Sequence, residues 1–409
     1  MTETSAAKTM PPGPDSVPDA KPAPDARAKR GFLGTSQFRD YGLVIALLLI
    51  TLFFEYTTNG VLFQPLNLTN LILQNSYVVV MALGMLLVIV AGHIDLSIGS
   101  IVGFVGALAA LLMVHYGIDP FTATIVCLAV GAAIGGLQGA FVAYFGIPSF
   151  IVTLAGMLVF RGLTLALLQG ASIGPFPEVF QLLAKGFLVN FAGPWTAMLM
   201  GLVLALLLLG MNWQRRAVQV RHGSQPDSLA SFIARNGIVT AVILAFAYQM
   251  SSYRGLPNVL LVMFVLVMIY RFVTTRTTIG RRIYALGGNI KAARLSGIKT
   301  ERLTFLTFAN MGALAGLAGM IFAARLNTAT PKAGVGFELD VIAACFIGGA
   351  SAAGGIGKVS GVVIGAFIIG VMNNGMSILG IGIDYQQVIK GIVLLAAVCL
   401  DVYNKKNRA

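Results

Sequence analysis

The chain has 409 residues, of which 57% are hydrophobic and 11% are charged, with a formal net charge of +13. Soluble proteins average about 45–50% apolar and about 25% charged residues, so this composition excludes a water-soluble protein and predicts a multi-pass membrane protein. Cys127, Cys345 and Cys399 each stand alone in an apolar run, which excludes a disulfide framework and a zinc motif.

The first 40 residues differ in kind from the rest of the chain. They are rich in Pro, Ala and Asp and have no hydrophobic periodicity, which is typical of a disordered tail. They contain no apolar region followed by a small-residue cleavage site, so they do not resemble a secretory signal. We therefore predict a disordered tail over 1–40 and a transmembrane domain over 41–409.

Twelve apolar runs follow the tail, each close to the roughly 20 residues that a helix needs to cross a bilayer. The runs are continuously apolar rather than alternating, so they predict an all-α helical bundle and not a barrel. Short connections at 92–97, 145–148 and 358 leave ten to twelve spans. The runs are 41–57, 70–91, 98–115, 121–144, 149–168, 193–212, 232–250, 257–273, 303–324, 339–357, 359–380 and 385–402.

The basic residues predict the orientation of the bundle. With the N-terminus inside, 22 of the 28 Lys and Arg residues fall on the cytoplasmic side, mainly in the tail, in 213–235 and in 271–302. Four lie on the other side, and Arg161 and Lys390 lie within spans. Because cytoplasmic connections are enriched in Lys and Arg, both termini are predicted to be cytoplasmic. The same distribution explains the net charge without a nucleic-acid partner.

Glycines recur at four-residue spacing in several runs. Residues four apart share one face of a helix, and a glycine face lets two helices approach closely within a membrane. These steps predict a densely packed bundle. They are Gly99 and Gly103; Gly131, Gly135 and Gly139; Gly312 and Gly316; and Gly357, Gly361 and Gly365.

A polar break, His93-Ile-Asp-Leu-Ser97, separates two apolar runs. Ionisable residues near membrane depth are costly and often line a transport pathway. Asp95 or Ser97 could instead accept hydrogen bonds from the free N–H groups that begin the next helix. Both interpretations stay open, and they are compatible with each other.

The connection 274–302 is the most distinctive segment of the chain. Gly287-Gly288-Asn289 predicts a turn that leads into a short helix over 292–295, and Gly297 is a helix stop signal. A short basic helix held between two spans is suited to docking on a soluble partner. A solvated loop that only fixes the topology is the alternative.

Other activities find little support in the sequence. There is no GxxxxGK[ST] loop for ATP, no HExxH motif and no Ser/His or paired-carboxylate arrangement for catalysis, so the chain is not predicted to be an enzyme or to hold a metal. Only Arg161 and Lys390 are clear candidates for an ionisable relay within spans. An ion-coupled secondary transporter, which would need such a relay, is one hypothesis, and a membrane scaffold or enzyme is another.

Four blocks carry a family resemblance that extends over about 41–403. The block GRRIYALGGNIKAARLSGI, which begins at Gly280, closely resembles the cytoplasmic motif of ABC-transporter permeases of the ribose/xylose/galactose family. Three further blocks agree in order and spacing. They are Gly92-His-Ile-Asp-Leu-Ser-Ile-Gly99; Glu338-Leu-Asp-Val-Ile-Ala-Ala344 with the glycines up to Gly357; and Asn373-Asn374-Gly375 with Gln386-Gln387-Val-Ile-Lys-Gly391.

The resemblance implies a fold similar to type II ABC importers and a permease subunit that imports a monosaccharide across the bacterial inner membrane. Its implied partners are a cytoplasmic ATPase that binds ATP and Mg²⁺, a periplasmic sugar-binding protein, a second copy of the chain and membrane lipid. The chain itself is expected to bind no cofactor. The resemblance places ATPase coupling at Gly280, Arg281, Arg282, Ala285, Gly287, Gly288, Asn289, Ala292, Ala293, Arg294 and Gly297. Polar candidates for the pathway are His93, Asp95, Ser97, Asn373 and Asn374.

Two departures from the usual family pattern indicate which members of the family this sequence resembles most. His93 stands where family members usually have a second glycine, and the basic connection 213–235 with its neighbouring spans looks like an insertion into a ten-span core. Both features are similar to the D-xylose permease and related multiple-sugar permeases. The implied substrate is therefore D-xylose or a related aldose.

Overall fold

The computed structural model describes residues 36–188, 193–222 and 228–406. Within these ranges the chain is helical, and the described residues from Gly42 onward group as one compact unit. Most of the predicted tail lies outside the described residues, whereas 36–40 belong to the first helix. The long helices follow from the apolar runs, because backbone groups in lipid must be paired within the segment itself.

Among the described residues, nine helices are long and apolar enough to cross a membrane, and Gly42–Thr57 is a shorter apolar helix. A multi-pass helical bundle is therefore confirmed. The helices are α1 Ser36–Thr57, α2 Pro65–Val90, α3 Ile98–Ala110, α4 Pro120–Ala143, α5 Ser149–Leu168, α6 Glu178–Gln181, α7 Thr196–Arg221, α8 Leu229–Ser251, α9 Asn258–Arg276, α10 Thr278–Gly288, α11 Ile290–Leu295, α12 Thr300–Leu326, α13 Phe337–Ile347, α14 Val359–Ile378 and α15 Ile383–Lys406.

Helix α2 forms the centre of the bundle. Its residues from Val78 to Val90 are almost fully buried, and α12, α13 and α14 pack around it. Helices α7 and α8 form an antiparallel hairpin at the periphery, with most of their large apolar side chains exposed. An all-round apolar helix such as α2 belongs in the interior, whereas a peripheral helix presents its apolar side chains to lipid.

The glycine steps lie where helices cross. A Cβ atom at Gly135 would overlap the carbonyl oxygen of Phe308, and one at Gly312 would overlap that of Gly131. The α4–α12 contact is thus a backbone-to-backbone approach that side chains would prevent. The prediction of dense glycine packing is confirmed here.

The predicted run 339–357 is not one helix. Helix α13 ends at Ile347, and a connection follows in which Gly349, Gly354 and Gly355 have positive φ. Residues other than glycine rarely adopt a positive φ. Because the run is apolar throughout, its composition did not indicate this glycine-rich break. The connection formed at the break lies against the C-terminal end of α2.

Candidate functional site

Helices α10 and α11 are short and capped by their own sequence. The Thr277 hydroxyl accepts a hydrogen bond from the Gly280 N–H at 3.1 Å, and the Asn289 side-chain oxygen accepts one from the Ala292 N–H at 3.0 Å. Gly297, with φ +78°, follows the end of α11. These caps satisfy backbone groups that a helix end leaves free, so the segment forms two helices rather than a loop.

The turn predicted over Gly287-Gly288-Asn289, leading into a short helix, is confined in the structure to Asn289. Both glycines belong to the last turn of α10, neither has a positive φ, and the chain breaks at Asn289 instead, with φ −159°. Only one of the two glycines occupies a position that requires glycine, and the requirement comes from close packing rather than from a turn. Gly287 lies against another segment, whereas a Cβ at Gly288 would meet nothing within 4 Å.

Two of the sequence blocks and the C-terminal end of α2 meet at Gly287. A Cβ on this residue would overlap the carbonyl oxygen of Val90, the last residue of α2. The same carbonyl accepts a hydrogen bond from the Gly355 N–H at 2.8 Å. The Tyr284 hydroxyl donates to the Gly357 carbonyl at 2.7 Å, and burial raises the pKa of this phenol, which keeps it protonated as a donor. The α10 helix is thereby fixed to the end of α2 and to the glycine-rich connection.

A cleft of about 450 Å³ opens beside this junction. Its lining combines Ala91, Gly92 and His93 with residues 286–291. The His93 ring is half-buried, with its centroid 5.7 Å from that of Phe308. The structure thus places His93, predicted as a pathway residue, next to the predicted coupling residues Gly287, Gly288 and Asn289.

The remaining coupling candidates divide between two faces. Gly280 and Ala293 are buried against the chain's own helices, so Ala293 is unavailable to a partner surface. The exposed candidates are Arg281, Arg282, Ala285, Gly288, Asn289, Ala292, Arg294 and Gly297.

Sequence reasoning missed an apolar residue on the outward face. The side chain of Leu295 is 90% exposed and that of Ile290 is 51% exposed, beside the arginines. Single exposed apolar side chains are common on protein surfaces, so Leu295 and Ile290 are candidates for a partner contact because they lie on the predicted coupling segment.

Arg294 is held at the edge of this face. Its guanidinium forms an ion pair with the Glu301 carboxylate and lies 3.4 Å from the Thr300 hydroxyl. Glu301 lies in the first turn of α12, so the pair joins the outward face of α11 to a long helix. Exposed pairs contribute little to stability, about 0–1 kcal/mol, and the contact serves mainly to orient the arginine.

The Asp95 and Ser97 side chains lie in the protein interior. Asp95 is 1% exposed, and one of its carboxylate oxygens accepts hydrogen bonds from the Ser97 N–H at 2.8 Å and the Ser97 hydroxyl at 2.6 Å. The Ser97 hydroxyl also lies 3.0 Å from the Gln138 side-chain oxygen on α4. These contacts connect the start of α3 to α4.

Asn373 and Asn374 face different neighbours. Asn374 exchanges two hydrogen bonds with Asn67, at 2.9 and 3.2 Å, which fastens α14 to the beginning of α2. Asn373 donates to the Asp340 carboxylate at 3.2 Å, and Lys390 forms an ion pair with the same carboxylate at 2.9 Å. Three helices, α13, α14 and α15, therefore share one charged cluster.

Within the described ranges, no group of three or more His, Cys, Asp or Glu side chains could hold a metal ion. What the geometry offers is a mechanical connection. An exposed helix pair rests directly on the end of the central helix, so a displacement of α10 must also displace α2 or break its contacts.

Comparison with known proteins gives the family. The family described as "Branched-chain amino acid transport system / permease component" matches residues 67–398. The chain is 41% identical to the xylose transport system permease protein XylH of Haemophilus influenzae over 366 residues, which cover 90% of this chain and 96% of the relative. It is 38% identical to XylH of Escherichia coli K12, with 89% and 92% covered.

A ribose permease is also similar. The ribose import permease protein RbsC of Escherichia coli K12 is 35% identical, over 89% of this chain and 93% of the relative. No solved structure matches the chain. The family match covers most of the transmembrane helices described above, including α10, α11 and the glycine-rich connection. The chain therefore belongs to this family of multi-pass membrane permeases, and the family expected from the sequence is confirmed.

Proposed function

We propose that the chain is the membrane-spanning subunit of an ATP-driven importer for a monosaccharide, with D-xylose or a related aldose as the substrate. The observation that carries the proposal is the exposed helix pair α10–α11, which rests on the end of α2 through Gly287. The named relatives are permeases for xylose and ribose, which supports a sugar over an amino acid.

In this mechanism the chain performs no covalent chemistry. A separate cytoplasmic ATPase binds ATP and Mg²⁺ and contacts Leu295 and the arginines of α10 and α11. Its closure moves α10, and the Gly287–Val90 contact carries the movement to α2. Interfaces packed as tightly as this one shift between discrete arrangements rather than deforming gradually. A second copy of the chain completes the pathway in the inner membrane, and a periplasmic binding protein delivers the sugar at the opposite end.

The five pathway candidates are not equivalent under this proposal. Asp95, Ser97 and Asn374 are buried in contacts between helices, whereas His93 and Asn373 are partly exposed. We therefore propose His93 and Asn373 as the better candidates for contact with a passing sugar.

The direct test is reconstitution in liposomes. The chain is combined with its ATPase and its sugar-binding protein, and uptake of labelled D-xylose, D-ribose and leucine is measured with and without ATP. We expect ATP-dependent uptake of the pentose and none of leucine. Uptake that requires no ATP, or uptake of leucine alone, would overturn the proposal.

Replacement of Leu295 tests the docking face. We expect Leu295→Asp to weaken ATPase binding by about 2 kcal/mol, roughly 30-fold, because an exposed apolar anchor is replaced by a charge. Surface plasmon resonance on detergent-solubilised protein measures the affinity. Leu229→Asp is the matched control, because Leu229 is also an exposed leucine, at 53%, near the basic connection. Equal affinity in both variants would remove Leu295 from the interface.

The proposed orientation can be tested by cysteine labelling. Cys127 and Cys345 are fully buried, so a Cys399→Ser background leaves little competing reactivity. We expect a membrane-impermeant maleimide added outside to label Lys332→Cys but not His222→Cys, because basic connections stay cytoplasmic. Labelling of position 222 from outside intact cells would reverse the orientation.

The ion-coupled secondary sugar transporter stays the alternative. The Lys390–Asp340 pair favours it, because ionisable groups inside a membrane bundle can serve as a relay. Sugar accumulation driven by a proton or sodium gradient in ATPase-free liposomes would support this alternative over the importer.

A further inference from the structure

A large apolar groove lies between the peripheral hairpin and the rest of the bundle. It has a volume of about 470 Å³, and its walls come from α7, α8 and α9, with Val79 of α2 and Phe367 of α14 at its floor. Its lining is almost entirely apolar. We name it the α7–α9 groove, and its wall residues include Ala197, Leu204, Ile243, Leu260 and Phe264.

The groove opens to the outside of the bundle and is not a sealed void. Leu204 and Phe264 on its rim are 39% and 53% exposed, whereas Ala197 and Val79 are each 1% exposed. Its wall residues lie in the halves of α7, α8 and α9 that are opposite to the basic connection that follows Arg221. An apolar opening at this depth of a membrane bundle faces acyl chains rather than water.

The volume of the groove, about 470 Å³, sets the scale of its occupant. Engineered apolar cavities of about 150 Å³ take up benzene, so a space of this size fits a longer flexible hydrocarbon.

Positive charge lies in the segments that contain Leu188 and Leu256, two lining residues of the groove. The 182–188 segment pairs with 256–258 through hydrogen bonds from the Leu188 N–H to the Leu256 carbonyl and from the Asn258 N–H to the Gly186 carbonyl. Arg254 is exposed, and its guanidinium lies 5.9 Å from the ring centre of Phe187 and 5.5 Å from that of Tyr253. Lys185 is exposed in the same segment. An arginine among aromatic rings at a membrane boundary is suited to a phosphate group.

We propose that the α7–α9 groove is a binding site for one phospholipid of the outer leaflet. One acyl chain lies between α7 and α9 and reaches Val79, and the phosphate is bound by Arg254. The lipid fills the space between the hairpin and the central helix and so takes part in holding the hairpin against the bundle. The choice of leaflet rests on the proposed orientation, and the inference is independent of the transported substrate.

Native mass spectrometry of the full chain, released from nanodiscs of phosphatidylethanolamine and phosphatidylglycerol, tests the site. Ile243→Trp fills the groove, whereas Val242→Trp places the same ring on the lipid-facing side of α8, where Val242 is 64% exposed. A second pair, Val267→Trp and Met268→Trp, does the same on α9. We expect the wild type and both controls to retain one phospholipid per chain and both filled variants to lose at least nine-tenths of it.

Arg254→Gln tests the phosphate contact separately. We expect this variant to lose the lipid at a several-fold lower collision energy than the wild type, with the groove unchanged. Equal lipid retention in the two filled variants and their controls would overturn the site. Unchanged lipid content together with a shift from dimer to monomer in both filled variants would also overturn it, because the occupant would then be a second copy of the chain.

Discussion

We expect Gly287→Val to abolish coupling between the ATPase and the bundle. A valine Cβ would overlap the Val90 carbonyl oxygen and crowd the Gly355 nitrogen, so α10 must move away from α2. Overpacking of this kind costs about 1–3 kcal/mol, which corresponds to a roughly 5- to 150-fold shift in an equilibrium. The measurement is ATP hydrolysis by the reconstituted complex, with and without the sugar-loaded binding protein. Stimulation by the binding protein should be lost.

The neighbouring glycine supplies the matched control. A Cβ at Gly288 would meet nothing within 4 Å and the residue is helical, so Gly288→Ala should insert, assemble and transport as the wild type does. Accumulation of both variants in the membrane is compared by quantitative immunoblotting. Normal stimulation in Gly287→Val would show that the α10–α2 contact transmits no movement. Loss of stimulation in Gly288→Ala as well would indicate a surface effect instead.

The contrast between these two glycines shows how far the sequence leads. The spacing of apolar residues predicts the long helices, because the bilayer sets their length and composition. The position of α2 determines which of the two adjacent glycines approaches another backbone. Helix α2 ends almost 200 residues earlier in the sequence. The sequence pattern contains no information on that distance in space, so Gly287-Gly288 reads as a turn.

The same limit applies to side-chain exposure. The block from Gly280 to Ile298 predicts a coupling segment, but Ala293 faces inward and Leu295 outward. Helix α11 has only six residues, fewer than two turns, so its periodicity is too short to define a face. The three-dimensional contacts with α12, including Arg294 to Glu301, determine which side is exposed.

Lys390 was predicted only as an isolated ionisable residue within a span, since its partner is 50 residues away. In the structure its ammonium group pairs with Asp340 at 2.9 Å, and Asn373 donates to the same carboxylate. The three residues come from α15, α13 and α14. Because α13 is the short helix before the glycine-rich connection, the cluster fixes the helix whose far end leads to Gly355.

We expect Lys390→Met to destabilise the bundle by roughly 3–5 kcal/mol, since it leaves the largely buried Asp340 carboxylate without its cation. Lys390→Met with Asp340→Asn should recover most of that loss, because no uncompensated charge remains and the amide still pairs with Asn373. Thermal unfolding in detergent, followed by tryptophan fluorescence, measures both. Lys332→Met is the control, as Lys332 is exposed.

Transport by the double variant then decides what the ion pair does. If the pair only holds α13 in place, the Lys390→Met/Asp340→Asn chain should import sugar with ATP at close to the wild-type rate, since the helix contacts are restored without charge. If instead the pair relays ions, the double variant should be as stable as expected yet inactive, because neither residue can then change its charge. Stable protein with normal ATP-driven uptake would therefore exclude the ion-coupled alternative. Stable protein without uptake would favour the ion-coupled alternative over the ATP-driven importer.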